Sequence, residues 1–240
     1  KDLKNFYHKS KKLIVIHQST NKVKVDIKKK KKLITFVGKL NSAKGYDIFG
    51  NAVLKILNKY PAWKAIVMGD EPREKLSFNH KNLKVLGFQN HETVLKTFNS
   101  SSIAVACSRW EEPFGRTSLE AASRGCAVII SNKGGLPETI TNGIILRNLK
   151  ANTLFLAIEN LIKNKKKLRY FQTESIKNFY LTDKFISNKI DSYRNELNQS
   201  FKLNIFKNNN KKKIKILHVT NFNERHNGRL FYNTGKRINN

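Results

Sequence analysis

Residues 102–130 read SIAVACSRWEEPFGRTSLEAASRGCAVII, and their pattern decides the fold class. Ser102–Ala106 is a run of small and β-branched side chains, suited to a strand in a tight interior. Pro113 and Gly115 punctuate a turn, helical spacing then continues through Ala122, and Ala127–Ile130 is a second apolar run. Strand, turn, helix and strand in that order make a βαβ unit, with parallel strands and a right-handed crossover.

The pattern repeats upstream. Leu33–Val37 is apolar and β-branched and ends at Gly38. After Lys44-Gly45, the residues Tyr46, Phe49, Val53, Ile56, Leu57 and Tyr60 recur mostly at spacings of three and four, and Pro61 stops that helix. Trp63–Met68 and Leu83–Leu86 are further strands, each ending at a glycine. His91–Phe98 is a short helix with Val94, Leu95 and Phe98 on one face. Downstream, Gly134-Gly135 breaks the chain and Gly143–Leu146 makes a last strand. The expected fold is α/β, a doubly wound parallel sheet from residue 32, with terminal helices as far as residue 200. Residues 1–31 read as the end of an interdomain segment, and 201–213 as an Asn/Lys-rich linker. Ile214–Val219 begins a new strand, so 214–240 reads as the truncated start of a second domain. The chain, which starts at Lys1, is expected to be a piece of a longer protein.

Hydrophobic content of 39% with apolar runs at regular intervals excludes a disordered polymer. A net charge of +30 invites a nucleic-acid reading. That charge rests on 37 lysines and only ten arginines, whereas phosphate and base readers favour the planar arginine fork. The expectation is therefore no nucleic-acid partner, and either a solvated surface or peripheral contact with an anionic membrane. Lysine runs at Lys28–Lys32, Lys165–Lys167 and Lys211–Lys213 fall between the apolar segments. No apolar run approaches the ~18 residues of a membrane span and no signal peptide is visible, so the expected location is cytoplasmic, at most on the inner membrane face. Cys107 and Cys126 each adjoin a β-type run and read as buried, reduced thiols.

In open parallel sheets, ligands bind beyond the carboxyl ends of the strands. Three turns meet that description. The first, GKLNSAKG at Gly38–Gly45, carries Lys39 and Lys44. It reads as a surface loop or as a diphosphate clamp, and it lacks the order of a P-loop. The second, SRWEEPFGRTSLEA at Ser108–Ala121, places Glu112 in a loop and Glu120 near a helix start. Thr117-Ser118-Leu119-Glu120 fits the capping box, so Glu120 is either a helix cap or a ligand-facing acid. Free amides at that helix start suit an anion. Two carboxylates also suit a hydrolase, although lysines opposite them favour a ligand with both sugar and phosphate. The third turn, GGLPE at Gly134–Glu138, permits close backbone approach. The six aspartates never form D-x-D and no His/Cys cluster has metal spacing, so no metal site is expected. None of the six histidines is given a catalytic role.

The segments FVGKLNSAKGYDIFGNAVLKI, MGDEP, VLGFQ, EEPFGRTSLEAASRGCAVIIS and GGLPETI occur in the order of a known family. They resemble the nucleotide-sugar-binding half of family 4 glycosyltransferases, enzymes of the GT-B fold. The likeness covers residues 33–162 and a return helix near 182–197. It implies a Rossmann-like domain, a nucleoside-diphosphate-sugar donor, and retaining transfer to a polysaccharide or lipid-linked acceptor. It also implies no cofactor and no metal. By the same resemblance Lys39 and Lys44 contact the diphosphate, Glu120 the ribose and Glu112 the transferred sugar. Gly38 and the backbone around Phe114, Gly115, Arg116 and Thr117 approach sugar or phosphate, and Phe88 meets the nucleobase.

Two positions depart from the family pattern. Lys39 stands where arginine is more frequent, replacing a fork by a point charge. Arg116 stands where an apolar residue is more usual, and adds a phosphate contact or only a surface charge. The acceptor-binding half is expected ahead of residue 1, so the chain alone is expected to be inactive. KIKILHVTNFNERHNGRL, beginning at Lys213, resembles the opening strand and glycine loop of another such half, which makes 214–240 a Rossmann-like domain start. Alternative readings are a nucleotide-sugar-binding module without turnover, a basic nucleic-acid-binding protein, and a GT-B epimerase or phosphorylase.

Overall fold

A computed structural model of the chain describes residues 14–207, with side chains as far as residue 199. Strands and helices alternate through β1 (Lys31–Val37), α1 (Tyr46–Lys59), β2 (Lys64–Met68), β3 (Leu83–Val85), α2 (His91–Ser100), β4 (Ser101–Ala106), α3 (Arg116–Ser123), β5 (Ala127–Ser131) and β6 (Gly143–Leu146). Three helices follow: α4 (Ala151–Lys163), α5 (Lys165–Lys177) and α6 (Asp183–Lys207). The six strands pair in the order β3-β2-β1-β4-β5-β6, every neighbouring pair parallel. This is the doubly wound α/β sheet expected from the repeated βαβ pattern.

Each strand faces two cores because its side chains alternate. Ile34 and Phe36 of β1, Ala65 and Val67 of β2, and Ile103 and Val105 of β4 join Phe49, Val53 and Ile56 of α1 and Leu154, Ile158 and Leu161 of α4. Their neighbours Met68, Ala104, Val128 and Ile130 turn to the other face, against Val94 and Phe98 of α2 and Leu119 and Ala122 of α3. Phe179, Leu181 and Ile186 close that second core from the start of α6 and the turn before it. Cys107 and Cys126 are buried free thiols, as expected.

Residues 14–30 run along the outside of the second core. Thr20 donates its amide to the Leu181 carbonyl, and the Arg124 guanidinium donates to that of Asn21. The expected linker start at residue 201 is corrected: α6 continues to Lys207, through a stretch whose lysines and leucine are good helix formers. The expected strand at Ile214 and the domain start at 214–240 lie outside the described residues. The chain divides into a unit ending at Arg194 and a second from Asn195, and the sheet belongs to the first.

Candidate functional site

The strand order reverses between β1 and β4, which are sequence-distant neighbours in the sheet. Loops leaving the carboxyl ends of such a pair diverge to opposite faces and open a crevice between them. The loop after β1 is Gly38–Gly45 and the loop after β4 is Cys107–Gly115, so two of the three sequence-predicted turns meet at the switch point.

Backbone contacts fix these loops. The amides of Arg109 and Trp110 donate to the Ala43 carbonyl at 2.8 and 3.1 Å, and the Ser108 hydroxyl donates to it at 3.1 Å. The Arg109 guanidinium grips both oxygens of Asp47 at 2.6 and 2.7 Å, holding that carboxyl below the usual range. Gly45 sits in the left-handed region at φ 73°, and a Cβ there would lie 2.0 Å from the Cys107 carbonyl oxygen. On the other flank, Gly134 and Gly135 press backbone to backbone on Glu112 and Pro113, where a Cβ would come within 2.2 and 2.5 Å of their carbonyl oxygens. The Gly135 amide donates to Glu112 O at 2.6 Å, and the Gly134 amide to Glu111 Oε2 at 2.6 Å. The glycine turn therefore clamps the Glu112 loop, and Lys133 ties down Glu111 at 2.8 Å.

Lys44 points into this crevice and its Nζ donates to Glu112 Oε1 at 2.5 Å. Glu112 is mostly buried, its side chain 12% exposed, so the pair is partly desolvated. Lys39, by contrast, is exposed and has no hydrogen-bond or ion-pair partner among the described residues. Gly38 donates its amide to the Met68 carbonyl at 3.0 Å, fixing where the lysine turn begins.

The capping reading of Glu120 is corrected. Helix α3 starts at Arg116 on Gly115, whose φ is 104°, and no side chain caps it. Glu120 lies more than one turn inside, its side chain 3% exposed, and accepts at Oε1 from His91 Nε2 at 2.8 Å and Arg116 Nε at 2.7 Å. Both donors use Oε1, which leaves Oε2 with no partner among the described residues. Arg116 is thus not a bare surface charge: Glu120 takes its Nε, while its terminal nitrogens have no partner among the described residues. The amides of Gly115, Arg116 and Thr117 meet no acceptor among the described residues. They are the open donors that an anion at a helix start would fill.

Other expected positions are placed differently. Phe88 is 77% exposed just beyond β3. Phe114 is buried, with its ring 5.4 Å from that of His17, so its backbone is what the loop offers a ligand. Thr117 is half-buried in the first turn of α3. Glu112 and Glu120 have different partners: the first pairs with Lys44 of the β1 loop, the second with His91 of α2 and Arg116 of α3. Two histidines were missed by the sequence reading. His91, first residue of α2, holds Glu120, and His17 reaches Glu138 of the GGLPE turn at 2.8 Å. Their partners are remote in sequence, and only the position of His91 beyond a strand's carboxyl end hinted at a site.

The family model described as glycosyl transferases group 1 matches residues 17–178. The chain belongs to this family. The motif-based resemblance to family 4 and the GT-B fold therefore holds. As a group 1 glycosyltransferase, the chain is 35% identical over 130 residues to the uncharacterized glycosyltransferase MJ1607 of Methanocaldococcus jannaschii, covering 50% of this chain and 33% of that protein. The chain thus matches about a third of the length of this relative. Among solved structures, the C-terminal domain of the group 1 glycosyl transferase LpcC from Francisella tularensis is 26% identical, with a TM-score of 0.55 over 62% of this chain and 85% of that one. Anabaena Alr3699/HepE, solved in complex with UDP and glucose, shares the fold at a TM-score of 0.60 and 19% identity, over 69% of this chain and 48% of that one.

Proposed function

We propose that this chain is the donor-binding half of a retaining glycosyltransferase, which moves a sugar from a nucleoside-diphosphate sugar to a polysaccharide or lipid-linked acceptor. The observation that carries the reading is the set of open anion-binding groups at the switch point: the amides of Gly115, Arg116 and Thr117, with the unpartnered Lys39. A diphosphate there would complete the helix start and draw Lys44 partly from Glu112. On this reading Glu120 Oε2 takes a ribose hydroxyl, Glu112 serves the transferred sugar, and the exposed Phe88 offers a face to the base.

In the reaction the bond between the anomeric carbon and the diphosphate oxygen breaks, and negative charge grows on the leaving group. Preorganised cations and amides favour that charge more strongly than the bound donor's, which lowers the barrier; one such donor is typically worth about 10²–10³ in rate. The reading needs no metal, since Lys39, Lys44 and the α3 amides supply the positive field. It places the protein in the cytoplasm, where nucleotide sugars are available.

Calorimetry of the chain against UDP-, GDP- and ADP-sugars, with and without a chelator, tests the proposal. It predicts binding of one donor class, unchanged by the chelator. A folded sample that binds none of them sinks it. Because the chain spans a third of its relative's length, transfer is assigned to the longer protein and donor binding without turnover to this piece.

A further inference from the structure

The two edges of the sheet differ in charge. At the carboxyl edge, several cations are matched by acids, Lys44 by Glu112, Arg116 by Glu120 and Arg109 by Asp47, while Lys39 and Arg147 are not. Arg73 and Lys133 are matched there too, by Glu71 and Glu111. The amino edge is not matched in this way. A cleft of about 500 Å³ opens between the start of β1, the end of α1 and the junction of α4 with α5, and seven cations but no acid line it. A second cleft of about 340 Å³, at the starts of β1, β2 and β3, is lined by five lysines and no acid, Lys32 being common to both.

Some of these charges are answered. Glu159 holds Lys59 and Lys163, and Lys30 donates to the carbonyls of Phe98 and Ser101. Lys28, Lys32, Lys165 and Arg169 in the first cleft are exposed, and their side chains have no hydrogen-bond or ion-pair partner among the described residues. The same holds for the side chains of Lys31, Lys64, Lys81 and Lys84 in the second. A lysine-rich composition accounts for many surface lysines, but not for two adjoining clefts lined by cations and no acid.

We propose that the amino edge of the sheet is a docking face for an anionic lipid bilayer, with the candidate active site turned to water at the opposite edge. Three features favour a bilayer over a nucleic acid. All but one of the cleft cations are lysines, point charges suited to mobile headgroups rather than to forked phosphate or base contacts. Neither cleft has an exposed aromatic ring on which a base could stack, since Tyr60 is half-buried and Trp63 is buried. The charges also spread across three strand starts and two helix ends rather than tracking one groove. With β1 seven residues long, the donor crevice would stand roughly 20 Å from the bound surface, at about 3.3 Å per residue.

The test is co-sedimentation of the 240-residue chain with vesicles of phosphatidylcholine, alone or mixed with phosphatidylglycerol. The chain is expected to pellet only with the mixed vesicles and to be released by salt. Replacing Lys31, Lys32, Lys64 and Lys84 with Gln should weaken partition more than a hundredfold, at ~fivefold per lysine. Replacing Lys22, Lys24, Lys150 and Lys184, which line neither cleft, removes the same charge and should have a far smaller effect. Thermal melts of both variants check that they fold; a quartet that fails is replaced by single Gln variants, each expected to lose about fivefold. Equal losses from the two quartets would overturn the docking face. So would pelleting with phosphatidylcholine alone, no pelleting with either vesicle, or tighter binding to duplex DNA or polyphosphate at equal phosphate concentration.

Discussion

Lys44 Nζ lies 2.5 Å from Glu112 Oε1, joining the loop after β1 to the loop after β4 across the point where the strand order reverses. Without ligand, the carboxylate holds the lysine; with a diphosphate bound, the lysine has a stronger anion to answer. Lys44→Met should therefore lower donor affinity by about ten- to a hundredfold, the range of one charge-assisted hydrogen bond. Stability should fall by no more than about 1 kcal/mol, since Lys44 is half-exposed. Calorimetry paired with a urea melt separates the two effects.

Glu120 is bound on one oxygen only, and the proposed ribose takes the other. Glu120→Gln keeps the shape and removes the charge, so nucleotide affinity should drop about tenfold with little change in melting temperature. Glu120→Ala should also destabilise, because His91 and Arg116 both lose their acceptor. An affinity unchanged in the Gln variant would make Glu120 a purely structural residue.

Gly45 and Gly87 share a left-handed backbone, with φ of 73° and 67°, but differ in surroundings. A Cβ at Gly45 meets the Cys107 carbonyl at 2.0 Å, while one at Gly87 meets nothing within 4 Å. Gly87→Ala should cost only the strain of that conformation, about 1–2 kcal/mol. Gly45→Ala should cost clearly more, because the two site loops must part. Denaturant melts of the two variants side by side check the difference.

The Arg73 guanidinium, backed by the Arg73 amide and Asn41, pulls the Glu71 carboxyl down to about 2, against the cost of its desolvation. The unfolded chain, with a glutamate near 4.3, then binds more protons than the native one between these values. Stability from this group is complete above about pH 4.3 and is lost as pH falls through about 2. Arg73→Gln should let the Glu71 carboxyl rise, lowering the urea midpoint slightly at neutral pH because Arg73 is exposed, leaving it nearly unchanged near pH 2, and so flattening its acid limb.

The sheet was legible because strand, glycine, helix and strand repeat with little interruption, and β-branched runs such as Leu33–Val37 and Ala127–Ile130 have one plausible fate. Carboxyl-edge turns followed from that, which put Lys39, Lys44 and Glu112 on the right loops. The partner of Glu120 was not legible. A local rule, the capping box, matched its spacing, yet α3 starts at Arg116, so the acid points to α2 instead. His91 and His17 escaped for the same reason: their roles arise from contacts across 29 and 121 residues. The two cation-lined clefts were also hidden, since +30 is a sum and carries no direction.

Amide hydrogen exchange of the chain, with and without the nucleotide sugar it binds best, addresses the donor crevice most directly. The account predicts slowed exchange at residues 38–46 and 112–120, at the mouth between β1 and β4. Protection confined to the amino edge, or absent from both loops at saturating donor, would contradict it.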